Sequence, residues 1–285
     1  MLSIIGEKNK GPIRGRAFGN SCGDSKSSAG VCSMQQKPGR WIYLEDPSEG
    51  AVTFQIGAVG SDGVILASDR SIQKRAGLYR TSAETEKITL CDDVPLAFCC
   101  NGDDLAQFAG NLIAEKIRSA PNRPNSAVEL QDLLEQCAQE ALVSEFRKSF
   151  YEDLHGGVVT LTYEFPKRVT LWQMEARDLK DRNQPHATKW DTKITAGDWS
   201  TSAVYFLERF YPNSSALLTT SELVGLCAHC ILAAGNLAPD RIHGLEIAVC
   251  KKDEWRKLPE DRIQELKEIF GEVDDYTRKK LLQAP

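Results

Sequence analysis

The sequence predicts an α+β fold, with two antiparallel sheets covered by helical layers, and three observations predict it. Strand-like and helix-like stretches come in blocks: strands, two helices, strands, two helices, strands, then a last helix. Helix follows helix within a block, so each pair is expected to stack as a layer on strand pairs. The third observation is residues 51–69, AVTFQIGAVGSDGVILASD, the stretch around which the chain is organised. Its two apolar runs, Val52–Val59 and Val64–Ser68, flank Gly-Ser-Asp-Gly, where Gly60 and Gly63 give the backbone freedom of a tight turn. That pattern predicts a β-hairpin.

The run VILA is continuously apolar, as in a strand covered on both faces. A hairpin folded about Ser61–Asp62 brings Asp69 beside Thr53 or Phe54, and the register decides which, since a one-residue slip swaps the faces. A three-residue loop over 60–62 would set Thr53 directly opposite Asp69. A hydroxyl and a carboxylate therefore meet at the mouth of a buried hairpin.

At 285 residues the chain can bury one sizeable core or two small ones. Its 41% hydrophobic and 26% charged residues are ordinary for a globular protein, and a net charge of −5 argues against a nucleic-acid partner. No apolar run approaches the ~20 residues of a membrane span. Met1–Ile5 has no long apolar region behind it, so no secretory signal is expected. Nine cysteines, with Cys91, Cys99, Cys100 and Cys250 in apolar strand-like runs, fit buried thiols in a reducing compartment. A cytoplasmic location follows as the expectation.

Residues 1–50 are rich in Gly, Ser, Lys and Arg and lack apolar periodicity, which predicts a disordered or removable extension before a folded domain at 51–285. Cys22 and Cys32 are incidental there, because no second pair follows at zinc spacing. After the hairpin, residues 70–86 are polar, basic and too irregular for a core element. KITLCDD and VPLAFCC (87–100) predict two strands joined at Asp92–Asp93. Acids in the first turn after Asn101 start a helix running to about residue 118, with Leu105, Phe108, Leu112, Ile113 and Ile117 on one face. A loop at 120–125 leads to a second helix from about Ser126 to Tyr151.

VVTLTYEF (158–165) and VTLWQMEA (169–176) predict strands, and the polar connection 177–191 ends in a short one. ITAGDWSTSAVYFLERFYP (194–212) predicts strand, turn and helix, with Ser200 or Thr201 as N-cap. Thr219, Thr220 or Ser221 caps the helix at 222–235, with Glu222 close behind. LEIAVCKKDEWRKL (245–258) predicts two paired strands. A helix at 259–273 follows, with Pro259 in its first turn.

This order, with the stretches GAVGSDGVILASDR (57–70), EKITLCDDVPLAFCCNGDD (86–104), ITAGDWSTSAVYFLERFYP and GLEIAVCKKDEWRKLPEDRI (244–263), resembles the proteasome family of N-terminal nucleophile hydrolases, over about residues 51–270. The resemblance implies a four-layer αββα sandwich and assembly into homo-oligomeric rings, with peptides or unfolded proteins as substrates, an ATPase as a further partner, and no cofactor or metal. It also implies a threonine nucleophile at the start of the first strand, matching Thr53, an acid matching Asp69, and a lysine matching Lys87.

Chemistry makes sense of the trio. A threonine hydroxyl needs a base, and a free α-amino group, with a pKa near ~7.7–8.0, can be one. Lys87 would supply positive charge beside it, and Asp69 would hold Lys87 in place. An oxyanion needs backbone N–H donors, which the strand end at Cys99–Asn101 could provide. Taken singly, Thr53 is a common strand residue, Asp69 a strand end and Lys87 a solvated edge charge.

The chain also departs from the family pattern. Cys100 stands where the family has Gly at the oxyanion strand end, and its side chain is expected to intrude where substrate would lie. Asp198, or Ser200 after a shift, matches the supporting serine, and Asp240 matches the second acid loosely. Val52 replaces the Gly that precedes the threonine in self-cleaving relatives.

Other constellations point to less. Cys227, His229 and Cys230 share a helix at spacings that do not converge on a metal, so core packing is expected. Cys99–Cys100 as a thiol nucleophile lacks a nearby base unless His155 or His243 approaches. Two function classes result: a threonine-type peptidase or amidase in an oligomeric chamber, and a non-catalytic ring or scaffold subunit. Asp69 and Lys87 favour the enzyme, whereas the N-terminal extension, Val52 and the cysteine pair favour the scaffold. The enzyme is the preferred expectation. It requires Thr53 to become the N-terminus, by self-cleavage after Val52 or because Val52 is a GUG start codon, the second route being preferred.

Overall fold

The computed structural model describes residues 33–37, 40–44, 53–76, 79–102, 104–148, 157–176, 185–197, 203–213, 217–239 and 241–283. Within the N-terminal extension, β1 (Ser33–Lys37) and β2 (Arg40–Leu44) pair as an antiparallel hairpin, a local element that the composition did not signal. Cys22 and Cys32 lie outside the described residues.

The predicted hairpin forms from β3 (Phe54–Val59) and β4 (Val64–Ser68). Its register pairs Gln55 with Ser68 and Val59 with Val64, so the turn is the four residues 60–63, closed by Gly60 N–H donating to Gly63 O at 2.7 Å. The three-residue alternative is thereby corrected: Phe54, not Thr53, stands across from Asp69, and Asp69 N–H donates to Phe54 O at 3.2 Å. All five residues of β4 are buried, because β4 sits mid-sheet between β3 and β13 (Glu246–Lys251). Val64, Ile65 and Leu66 among them contribute roughly 1.5–3 kcal/mol each on full burial.

Polar residues 70–86 are not irregular. They form a ribbon, β5 (Ser71–Ala76) with β6 (Tyr79–Glu84), that makes a two-stranded sheet of its own. The next strands, β7 (Ile88–Cys91), β8 (Leu96–Gly102), β9 (Gly157–Phe165), β10 (Arg168–Ala176) and β11 (His186–Trp190), build a five-stranded antiparallel sheet in the order β11-β10-β9-β8-β7. Helices α1 (Asp104–Ser119) and α2 (Ala127–Lys148) bury Leu105, Ile113, Ile117, Leu130 and Leu134 with Phe98, Leu161 and Trp172 of that sheet.

The other five-stranded sheet has the order β12-β3-β4-β13-β14, with β12 (Lys193–Gly197) and β14 (Glu254–Lys257) at its edges. On it pack α3 (Ala203–Phe210), α4 (Thr220–Leu237) and α5 (Glu260–Leu282), through Leu207, Leu223, Cys227, Ile231, Ile263 and Leu266. Thr219 is the N-cap of α4 in a complete capping box with Glu222, which settles the three-way choice left by the sequence. By length and composition α4 could cross a membrane, but Leu223, Val224, Cys227, Ala228, Cys230, Ile231 and Ala234 are buried within the protein.

Between the two sheets a third apolar cluster contains Val64, Leu66 and Ala248 from one and Ile88, Ala97, Cys99 and Leu171 from the other. Gly57 allows the close approach, since a Cβ there would lie 2.6 Å from Leu171 Cδ1. The helix predicted to end at 273 continues to Leu282, with its last turns exposed.

Candidate active site

Thr53 immediately precedes β3, Asp69 immediately follows β4, and Lys87 immediately precedes β7 in the other sheet. The hairpin joins the first two, and the apolar layer between the sheets brings up the third. Lys87 Nζ lies 2.8 Å from Thr53 Oγ1 and 3.0 and 2.9 Å from Asp69 Oδ1 and Oδ2. An ammonium has three donors and no acceptor, so these contacts use all three. The Thr53 hydroxyl oxygen accepts, which leaves its own proton available to a base.

Asp69 is fixed by the backbone. Its Oδ1 accepts from Phe54 N–H at 2.8 Å and its Oδ2 from Ser71 N–H at 2.9 Å. Burial, the largest influence, pushes the Asp69 carboxyl above its usual range, against the pull of the Lys87 charge and the N–H donors of Phe54 and Ser71. Thr53 is 3% exposed, Asp69 fully buried, and the Lys87 side chain 8% exposed. In such a low-dielectric setting a fixed ammonium beside a hydroxyl acts with little screening.

The β8 end closes the site from another side. Cys100 lies one step past Ile88–Cys99, the last β7–β8 pair on that side, and its carbonyl accepts from Gln55 Nε2 at 2.5 Å. The side chain does not intrude toward the trio as expected. Its thiol donates to Ala106 O at 3.3 Å and packs against the α1–α2 cluster, because alternation along β8 turns Cys100 toward the helices. Cys99 points the other way, into the layer between the sheets. Burial raises the Cys99 thiol to about 12 and the Cys100 thiol well above its ordinary value, so both stay protonated at neutral pH. His155 is outside the described residues, and the His243 carbonyl accepts Arg70 N–H at 2.8 Å.

Two neighbours of the trio escaped the sequence. Gln55 is the hydrogen-bond link between the β3 and β8 ends. Gly197, at φ +101°, passes so close to Thr53 that a Cβ would lie 1.5 Å from the Thr53 carbonyl oxygen. The ITAG ending was in the sequence, but the closeness of the two chains is set by the β12–β3 register, which pairs Gly197 with Phe54. Asp198, Ser200 and Asp240 lie outside the described residues.

The zinc alternative meets a packed helix. Cys227 and Cys230 are fully buried in the core, while His229 packs edge-on between Phe206 and Phe270. Among the described residues no group of three or more His, Cys, Asp or Glu is placed to hold a metal ion. A surface cavity of about 690 Å³, lined by Thr89, Cys91, Asp93, Asn111 and Arg118, opens at the opposite end of β7 from Lys87.

No protein-family model matches the chain, and no curated protein does. Solved structures do. A Gly-1 mutant of Anbu from Hyphomicrobium sp. strain MC1 is 12% identical, with a TM-score of 0.61 over 82% of this chain and 98% of that one. The helical assembly of the Anbu complex from Pseudomonas aeruginosa is 15% identical, with a TM-score of 0.63 over 81% of this chain and 97% of the other. Anbu from Yersinia bercovieri, described as an ancestral β-subunit, is 13% identical, with a TM-score of 0.60 over 81% and 97%. At such identities the likeness shows a shared fold.

Proposed function

We propose that the chain is a threonine-type peptidase or amidase of the proteasome kind, with Thr53 as its nucleophile once residues 1–52 are absent. The observation that carries this is the Lys87 ammonium, which reaches from the other sheet to join the Thr53 hydroxyl and the Asp69 carboxylate. The three apolar clusters, two under helices and one between the sheets, support reading the fold as a four-layer αββα sandwich. The Anbu similarities, among them a structure described as a helical assembly and one as an ancestral β-subunit, support a homo-oligomeric, proteasome-related subunit.

In this mechanism the free Thr53 α-amine takes the hydroxyl proton as Oγ1 attacks the scissile carbonyl. Negative charge moves to the carbonyl oxygen, held by backbone N–H donors at the Cys99–Asn101 strand end. The C–N bond breaks as the new ammonium returns the proton to the leaving amine. A water then hydrolyses the Thr53 ester by the same base. Lys87 lowers the cost of charge on Oγ1, and Asp69 keeps Lys87 aimed at it. Asp198 and Asp240 remain as additional polar groups of this site, and peptides, an ATPase partner and a cytoplasmic location belong to the same proposal.

One observation favours the second class, a non-catalytic ring subunit: Val52 precedes Thr53, so in the full chain the Thr53 nitrogen is an amide and no base. Thr53→Ala decides for the enzyme if it abolishes hydrolysis of short fluorogenic peptides while the assembly persists. Full activity in that variant overturns the assignment of the nucleophile. A monomer in light scattering at micromolar concentration overturns the oligomeric part.

A further inference from the structure

Lys87 is held at its backbone as firmly as at its ammonium. Glu246, the first residue of β13, pairs with Ser68 of β4, one step before Asp69. Its side chain leaves that sheet and reaches the start of β7, 159 residues away in sequence. There one oxygen, Oε2, accepts the backbone N–H of Lys87 at 2.7 Å and that of Ile88 at 3.1 Å. The other, Oε1, lies 2.6 Å from Lys257 Nζ, which also contacts Glu86 Oε2 at 2.7 Å.

A carboxylate 7% exposed at a strand start requires an account, because a buried acid is costly unless its oxygens are occupied. Oε2 takes two main-chain donors, and Oε1, with no hydrogen bond of its own, stands in ion-pair contact with one ammonium. β7 is an edge strand, so its first N–H groups would otherwise lack a ladder partner on that side. The two acids also form a pair in space: Asp69 ends β4 and grips the ammonium, and Glu246 begins the neighbouring strand and grips the amide of the same lysine.

From this geometry we infer that Glu246 is a positioning residue for Lys87: it fixes where β7 begins, and so where the ammonium sits relative to the Thr53 hydroxyl. It touches no reacting atom. Its influence passes through one backbone unit, and Lys257 with Glu86 keeps its carboxylate from swinging away. The inference rests on the proposed hydrolase for its effect on rate, but the position of Lys87 can be read without any hydrolysis.

The experiment is amine acetylation of the full-length, folded protein, followed by peptide mass mapping. Lys193 is the internal control, since its side chain is 4% exposed and its Nζ donates to Tyr211 O elsewhere in the fold. In Glu246→Ala, Lys87 acetylation is expected to speed up about fivefold or more while Lys193 stays unchanged, as for a local opening. Glu246→Gln keeps an oxygen for both N–H groups and is expected to leave Lys87 labelling within about twofold of the parent. Unchanged Lys87 labelling in the alanine variant overturns the inference, as does an equal rise at Lys193, which would mean general loosening. A glutamine variant as open as the alanine variant overturns the N–H acceptor role. In the processed enzyme, Glu246→Ala is expected to lower kcat by about tenfold to a hundredfold with KM little changed, as for a displaced catalytic group, and an unaltered kcat overturns the inference. If the processed parent that begins at Thr53 hydrolyses nothing, the hydrolase proposal fails and the acetylation result still decides the role of Glu246.

Discussion

Lys87 Nζ lies 3.0 and 2.9 Å from the two carboxylate oxygens of Asp69, and both groups are withdrawn from solvent. A buried pair of this kind is asymmetric in its energetics: losing one partner strands the other. Asp69→Ala or Lys87→Ala is therefore expected to destabilise the fold by about 3–5 kcal/mol in chemical denaturation. The double variant should cost less than the sum of the two, with a coupling of about 0.5–3 kcal/mol. Strict additivity would mean that the pair does not act as a unit. In the processed enzyme Lys87→Ala is expected to abolish peptide hydrolysis, and Asp69→Ala to weaken it strongly.

Gly197 makes a sharper test of the site's backbone. Its φ of +101° is one that side chains rarely adopt, and its Cβ would overlap the Thr53 carbonyl. Gly197→Ala should cost at least about 1–3 kcal/mol from the backbone conformation alone. It should also displace Thr53, so that the hydrolysis rate falls further than the folded fraction does. Parent-like stability by thermal or chemical unfolding would show that β12 and the start of β3 separate freely.

Much of this architecture was legible because apolar periodicity and turn residues agreed with the final packing. The 51–69 hairpin, the α1–α2 pair and the 245–258 strands carry their burial pattern in the sequence. What stayed hidden was long-range or solvent-facing. A turn of three or four residues suits Gly-Ser-Asp-Gly equally, so Thr53 and Phe54 could not be ranked against Asp69 until the ladder fixed the register. The β5–β6 ribbon, SIQKRA and YRTSAE, has no apolar alternation, and the end of α5 is exposed, so no apolar stripe marked either. Glu246 looks like an ordinary polar strand start, and its main-chain donors lie 159 and 158 residues back. The direction of Cys100 followed from which face of β8 meets α1, which no single stretch encodes.

Asp62, at the tip of the 60–63 turn, ties the hairpin to α4. Its Oδ1 accepts from Thr220 N–H at 2.7 Å and its Oδ2 from the Thr220 hydroxyl at 3.1 Å, with Lys251 Nζ 2.7 Å away. Partial burial alone would raise the carboxyl, but the Lys251 and Thr220 hydrogen bonds together outweigh it and hold the group below its ordinary value of 3.8. A depressed acid stabilises the fold above its unfolded pKa of about 3.9, and that contribution fades as pH falls through the lower folded value. The stability gap between the parent and Asp62→Asn is therefore expected to be constant from pH 7 to about 5 and to narrow below pH 4 in urea unfolding. A gap that widens on acidification would reverse the assigned sign.

The last prediction concerns where the working chain begins. Lys87 occupies the lone pair side of the Thr53 oxygen with all three of its donors committed, so it cannot take the hydroxyl proton in this arrangement. Another base is needed, and the Thr53 nitrogen serves only as a free amine, with a pKa near ~7.7–8.0 that leaves part of it neutral at cellular pH. Self-cleavage after Val52 is one route, though a β-branched residue there crowds an attack that Gly would permit. Initiation at a GUG codon is the other: it would place methionine where Val52 is read, and removal of that methionine before the small Thr53 leaves the amine without autocatalysis. The second route asks nothing of residues 1–51. Intact-mass measurement of the assembled protein from its native source should give a chain that starts at Thr53. A mass that still includes residues 1–52 in the assembled form would rule out the threonine mechanism and leave the ring-subunit alternative standing.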